Sequence, residues 1–403
     1  MSAAAQTPDT ICGTPDWSSL PADQQQLLQQ LEEHTRQFIA QQTPSSVVNQ
    51  NESFCPVYTI PVVVHLVNNY YSDAHVCTQI DILNKAFLGM NREILNPASP
   101  YRPLPDFVPR IGRFRIAFRL AHIDPNGLPT TGITRVSSSA HSFNVFTTPL
   151  SPYTDFNEDM KRTAHGGADA WDPSHYLNIW VVNYNPVFLF GIVAGRSTFP
   201  SSAGAWYDGV VVNTPHFNHV TASIRGRTLI HEVGHWMNLR HPWSVEVPGH
   251  STCKDDHVSD TPLSIKEEWN PVPRPYITAC TDSSGEMLEN YMSYYREAYQ
   301  VMFTQGQKQR AYAVFAPGGP RASIVAPSAL NPPIAVTFST SPTPACMGQP
   351  VTLTASLEQN APGTPCALFP SVEYQLYATT GGNRVAVGAA TTNPVWTITP
   401  IQS

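Results

Sequence analysis

His231-Glu232-Val233-Gly234-His235-Trp236-Met237-Asn238-Leu239-Arg240-His241 is the stretch on which the reading of this chain turns. Histidines four apart stand one above the other on a single helix face, so the imidazoles of His231 and His235 can reach one ion. Glu232, one residue past the first, then lies beside that ion, where it can take a proton from an attacking water without ligating. Zinc is the ion this pattern implies. The third histidine carries the reading further. On a continued helix His241 would lie about 15 Å from His231, on a different heading. It joins the site only if the chain leaves the helix near Asn238 and turns back. Asn is the residue best suited after Gly to the left-handed backbone of such a turn. A chance match to the two histidines and the glutamate has odds of roughly 1–2 % in a chain of this composition. The apolar Thr228-Leu229-Ile230 ahead of them reads as a helix entering a core.

The 403 residues suffice for two or three domains, and 41 % apolar content is enough for a real core. A net charge of −7 argues against nucleic acid as a partner. No apolar run reaches membrane-spanning length, which argues against membrane insertion. The N-terminus has no basic segment followed by an apolar one, so no signal peptide is visible. Low charge (13 %), 38 prolines and paired-looking cysteines favour an exported protein whose signal has been cut away, over a cytosolic one. The seven cysteines are an odd count, which leaves one thiol over in an oxidised protein. Pairing by neighbourhood joins Cys55 to Cys77, Cys253 to Cys280 and Cys346 to Cys366, with Cys12 remaining. Spacing alone does not fix connectivity, and a fully reduced set is the alternative.

Three domains are expected: 1–55, 56–325 and 326–403. In the first, residues 19–42 read as one amphipathic helix, with Leu20, Leu27, Leu28, Leu31, Phe38 and Ile39 at helical spacing. Residues 42–46 read as a linker. The second alternates strands (60–67, 114–123, 177–184, 209–213) with helices (77–94, 225–239, 303–316). Residues 190–199, punctuated by glycine and half polar, read as a sheet edge. Residues 243–288 are rich in Pro, Asp, Ser and Thr and read as irregular. In the third, segments 336–339, 351–356, 372–378, 384–389 and 395–399 alternate apolar and polar, with a turn at Gly381-Gly382. That is the pattern of a small, Ig-like β-sandwich.

Downstream of the histidines stands Glu289-Asn290-Tyr291-Met292-Ser293-Tyr294, where a Met between tyrosines reads by itself as core. Together with HExxHxxNxxH it looks like the Met-turn of the metzincin metallopeptidases. More closely, the chain resembles the pappalysin family, particularly its microbial, ulilysin-like branch. The matching residues run from Arg227 to Trp236, from Cys253 to Pro262, from Asn290 to Tyr294 and from Met302 to Arg310. Leu177-Asn178-Ile179-Trp180 and the strand at Ile60 agree in order and spacing.

The resemblance implies an α+β fold: a metzincin-type domain with a twisted mixed sheet, an active-site helix and an irregular C-terminal subdomain. It implies that His231, His235 and His241 bind zinc and that Glu232 is general base and acid. Met292 is expected as a floor under the imidazoles, and Tyr294 as a phenol that stabilises the oxyanion. It implies a latent precursor in which Cys12 holds zinc. It also implies calcium in the loop 255–261, through Asp256 and Thr261, and a Cys253–Cys280 disulfide. Three features depart from the family pattern. Asn238 replaces the usual glycine, one cysteine staple is missing, and the prime-side Asp position falls on Ala298 beside Glu297, which puts a basic preference in doubt. The implied function is a secreted zinc endopeptidase acting on proteins or peptides. An adhesion protein with a degenerate zincin domain and a zinc hydrolase of non-protein amides are the alternatives. Oligomeric state stays open.

Overall fold

The computed structural model describes residues 11, 12, 14, 20–42, 58–69, 71–147, 156–185, 193–218, 226–247, 252–265 and 272–325, then strands at 336–341, 351–357, 374–380, 383–391 and 395–398. Chain contacts divide it into two units, Met1–Pro327 and Ser328–Ser403.

The first unit is organised on β2 (Tyr58–Val67), whose Pro61-to-Val67 stretch is buried on both faces, as a strand between two layers must be. Three strands pair with β2 in parallel: β3 (Ile116–Leu120), β4 (Ile133–Val136) and β5 (Leu177–Val182). On the far side of β5 lies β7 (Val210–Asn213), also parallel, and then β6 (Val193–Ser197), which is antiparallel to β7. The sheet is therefore mixed, as expected, and the half-polar segment forms its antiparallel margin. That margin is not bare. A two-residue strand β1 (Ile11–Cys12) runs parallel along it, with Cys12 opposite Gly195.

Four helices accompany the sheet: α1 (Ala22–Gln41), α2 (Asp73–Phe87), α3 (Thr228–Trp236) and α4 (Gln305–Ala313). Helix α1 buries Leu28, Leu31 and Thr35. Leu27, expected on the apolar face, is 47 % exposed. Helix α2 starts at Asp73, where the Ser72 side chain accepts from His75 N–H. It ends before the expected 94 because Gly89 adopts φ +61; a separate turn, Arg92–Leu95, follows. Helix α4 opens with a reciprocal capping box between Thr304 and Gln307. β4 is a strand that the alternation pattern did not reveal.

Between 243 and 288 the described residues are mostly irregular, as expected, and the Cys253–Cys280 disulfide joins positions 27 apart in sequence. Cys77 is disulfide-bonded and Cys12 is a buried thiol. Cys55, Cys346 and Cys366, the linker after Gln42 and the turn at Gly381-Gly382 lie outside the described residues. The second unit contains an antiparallel sheet of β8 (Val336–Ser341), β9 (Val351–Leu357) and β12 (Val395–Ile398), and an antiparallel pair of β10 (Tyr374–Thr380) and β11 (Asn383–Thr391). Among the described residues no helix is long and apolar enough to cross a membrane.

Candidate metal and catalytic centre

Helix α3 packs across β6 and β7 and is buried over its whole length. The contact is close: a Cβ on Gly195 of β6 would come within 2.9 Å of Glu232 Cγ. A Cβ on Gly234 would meet Met292 Sδ at 2.4 Å, so the methionine lies directly under the helix between the two histidines. The helix stops at Trp236, three residues short of the expected end. Leu239 N–H bonds back to Gly234 O, and Asn238 takes φ +71. That single left-handed residue reverses the chain and returns His241 to the site.

The three imidazoles converge. His235 Nε2 is 3.1 Å from His231 Nε2 and 3.0 Å from His241 Nε2, and the last two are 3.2 Å apart. Cys12 Sγ lies 3.6 Å from His235 Nε2. All four ligand atoms fall within 4.8 Å of one another. A tetrahedral zinc ion with ordinary Zn–N and Zn–S bonds spaces two nitrogens by about 3.3 Å, and sulfur from nitrogen by about 3.6 Å. The donor set fits zinc in both chemistry and spacing. Outer partners set the tautomers: His231 Nδ1 bonds to Tyr291 O at 2.7 Å and His235 Nδ1 to Leu239 O at 2.9 Å. Each Nδ1 therefore donates, which leaves Nε2 as the lone-pair ligand. Burial and the neighbouring histidines push His231 down to about 3 and His235 well below its ordinary value, so both are neutral.

Glu232 is fully buried. Its Oε2 accepts from the Thr14 hydroxyl at 2.7 Å, and its Oε1 has no hydrogen-bond partner. Burial raises its carboxyl to about 7, against the lowering effects of Thr14, Cys12 and Arg196. Thr14 also accepts from Ser197 N–H of β6 at 2.8 Å. Burial and then the Glu232 charge push the Cys12 thiol up; a cation beside the sulfur reverses that sign.

Tyr294 closes another wall. Its ring lies 4.7 Å from that of His241 and 4.9 Å from that of Trp243, which itself stacks on His241 at 5.1 Å and 8°. The Tyr294 hydroxyl donates to Cys12 O at 3.4 Å. The Met-turn is held by an amide pair. Asn290 Oδ1 accepts from Met292 N–H at 2.9 Å, while Asn290 Nδ2 donates to Gln307 Oε1 at 2.9 Å. Arg321 locks the end of α3 by donating to Trp236 O and to both Asp208 oxygens.

The other expected site residues fall elsewhere. Glu297 takes hydrogen bonds from the Thr228 hydroxyl at 3.0 Å and from Arg227 N–H, so it serves the start of α3. Ala298 is buried. Neither supplies an acidic prime-side pocket. Asp256 Oδ1 accepts from the Thr261 hydroxyl at 2.6 Å and from Val258 N–H at 3.0 Å, while Oδ2 has no hydrogen-bond partner. Residue patterning did not expose Thr14, Glu32 or the Asn290–Gln307 pair. A hydroxyl two residues from a thiol and a glutamate in a glutamine-rich helix carry no signal until the fold brings them to the centre.

Residues 162–316 match the profile of the family described as Pregnancy-associated plasma protein-A. A solved structure titled "Mirolysin in complex with compound 9" is 35 % identical, with a TM-score of 0.58 over 67 % of this chain and 97 % of that one. The chain belongs to the pappalysin family. A pappalysin precursor, a promirolysin mutant of Tannerella forsythia, is 31 % identical, with a TM-score of 0.60 over 75 % of this chain and 91 % of that one. Two curated relatives are named "Extracellular metalloprotease". The one from Sordaria macrospora is 32 % identical over 134 residues, 31 % of this chain and 45 % of that protein. The one from Verticillium alfalfae is 33 % identical over 143 residues, 33 % and 48 %. The chain thus spans about half the length of the curated relatives it matches.

Proposed function

We propose that the protein is a secreted zinc endopeptidase, made as a latent precursor in which residues 1–55 block the site. One observation carries this reading: three imidazoles converge on one point, beside a buried glutamate that has an oxygen to spare. Bound there by His231, His235 and His241, zinc supplies Lewis acidity toward a scissile carbonyl and makes water easier to deprotonate. Glu232 Oε1 takes the proton from the attacking water and returns it to the leaving amine. Tyr294 steadies the developing oxyanion, and Met292 keeps the imidazoles from below. The margin of β6 receives an extended peptide through backbone hydrogen bonds, which gives affinity with little sequence demand.

In the latent form β1 fills that margin, the Cys12 thiolate is a fourth zinc ligand, and Thr14 occupies the base. The match to promirolysin extends over more of this chain than the match to mirolysin, 75 % against 67 %, which supports a separable head. The relatives' names support export. The second unit's five strands suit an Ig-like sandwich over 326–403. Calcium at Asp256 and Thr261 rests on Asp256 Oδ2, which has no hydrogen-bond partner, beside the Thr261 hydroxyl that donates to Asp256 Oδ1.

The test is hydrolysis of a quenched peptide after the N-terminal segment is cleaved. Activity should vanish with a chelator, return with zinc, and be absent in Glu232→Ala. Activity that survives Glu232→Ala would overturn the reading.

A further inference from the structure

Beside the metal cluster lies a second charged group that peptide hydrolysis does not use. Glu32, on α1, receives Arg240 Nη2 at 2.7 Å and Arg310 Nη1 at 2.9 Å, and His257 Nδ1 stands 3.2 Å from the same carboxylate. The two arginine side chains are only 3 % and 2 % exposed, whereas Glu32 keeps 21 % and His257 39 %. The cations therefore form the floor, and the carboxylate enters from the solvent side. Both cations are tied to the turn that builds the site. Arg310 Nε donates to Asn238 O at 2.6 Å, and Arg240 immediately precedes His241.

Two buried guanidiniums side by side repel each other unless an anion bridges them. Asp256 also faces the pair but does not bridge it, since its Oδ1 is held by Thr261 and Val258. A planar two-oxygen anion matches the guanidinium fork better than a spherical one.

We infer that Arg240 and Arg310 form a carboxylate receptor, filled here by Glu32 and left open to an acidic peptide side chain or terminus once α1 withdraws. Only the opening rests on the reading of residues 1–55 as a removable segment. The receptor itself does not.

The test uses the full-length chain and no activity assay, so it fails or succeeds independently of the peptidase reading. Glu32→Ala should lower Tm by roughly 5 °C or more, because it removes the carboxylate to which both buried guanidiniums donate. About 100 mM acetate should recover at least half of that loss, as a ligand of the folded state does. Chloride or phosphate at the same ionic strength should not, and the unmutated chain should barely respond. If Glu32→Ala does not fold well enough to melt, the yield of soluble protein refolded in acetate against chloride is the readout. Equal rescue by chloride or phosphate, or an equal acetate response in both chains, overturns the carboxylate assignment.

Discussion

Thr14→Val should make the uncut chain leak activity, although it replaces neither a proposed metal ligand nor the proposed base. The substitution keeps the shape of the side chain and deletes one hydroxyl. That hydroxyl donates to buried Glu232 Oε2 at 2.7 Å and accepts from Ser197 N–H at 2.8 Å. A bond to a charged group contributes about 1.5–3 kcal/mol and an ordinary one about 0.5–1.5 kcal/mol. In the blocked state valine leaves both partners buried and unsatisfied; in the open state water serves them. The opening equilibrium should therefore move by about 3 kcal/mol, on the order of 100-fold. The assay is the initial rate of the zinc-loaded, full-length chain on a quenched peptide, with a gel showing the chain still uncut. Thr14→Ser keeps the hydroxyl and should stay latent. If Thr14→Val is as silent as the unmutated chain while Cys12→Ala is active, the hydroxyl contributes nothing to latency and the argument is wrong.

Cys12→Ala should raise the same initial rate by removing the blocking thiolate; unchanged latency would leave Cys12 an inert thiol. Asn238→Gly should stabilise the fold by about 1 kcal/mol, a rise of roughly 2–4 °C in Tm, because the buried side-chain amide lacks a hydrogen-bond partner and φ is +71. A lower Tm would mean that the amide is satisfied in solution. Asp256→Asn should stabilise the fold in a pH-dependent way. Burial raises the Asp256 carboxyl from 3.8 to about 7, so stability falls as pH rises through that window and the penalty is complete above it. The amide removes a penalty of at most about 4 kcal/mol at pH 8 and changes little at pH 4, as read by thermal melts at both. Calcium binding at this loop would reverse the result at pH 8, and calcium would then raise the Tm of the unmutated chain alone.

The metal ligands were legible because chemistry forces their spacing. Two histidines on one face and a third past a left-handed residue leave few alternatives, and the structure places His241 where that turn requires. The parallel core strands were legible because strands buried on both faces read as unbroken apolar runs. Boundaries were harder, since they depend on single backbone events such as φ +61 at Gly89 and φ +71 at Asn238. The amphipathic reading of α1 erred at Leu27 because the helix buries a stripe through Leu28, Leu31 and Thr35. By count along the chain the specificity position fell on Ala298, with Glu297 beside it. In space Glu297 sits at the start of the site helix, bound to Arg227 and Thr228.

The contacts of the N-terminal head share a location. Cys12 reaches His235, Thr14 reaches Glu232, and Glu32 reaches Arg240 and, through Arg310, the Asn238 carbonyl. All four targets lie within the nine residues from Glu232 to Arg240, the segment that carries the base and turns the third histidine into place. The N-terminal head therefore does more than obstruct a cleft. It supplies a donor to Glu232, a sulfur beside the three imidazoles and a counter-ion to the turn, so on the proposed reading each group that must be poised in the active form is satisfied in the latent one. Buried polar groups are costly when left unmet. A head that meets them all is held by the site's own unmet demands, and releasing it requires that water or substrate take over each of those contacts.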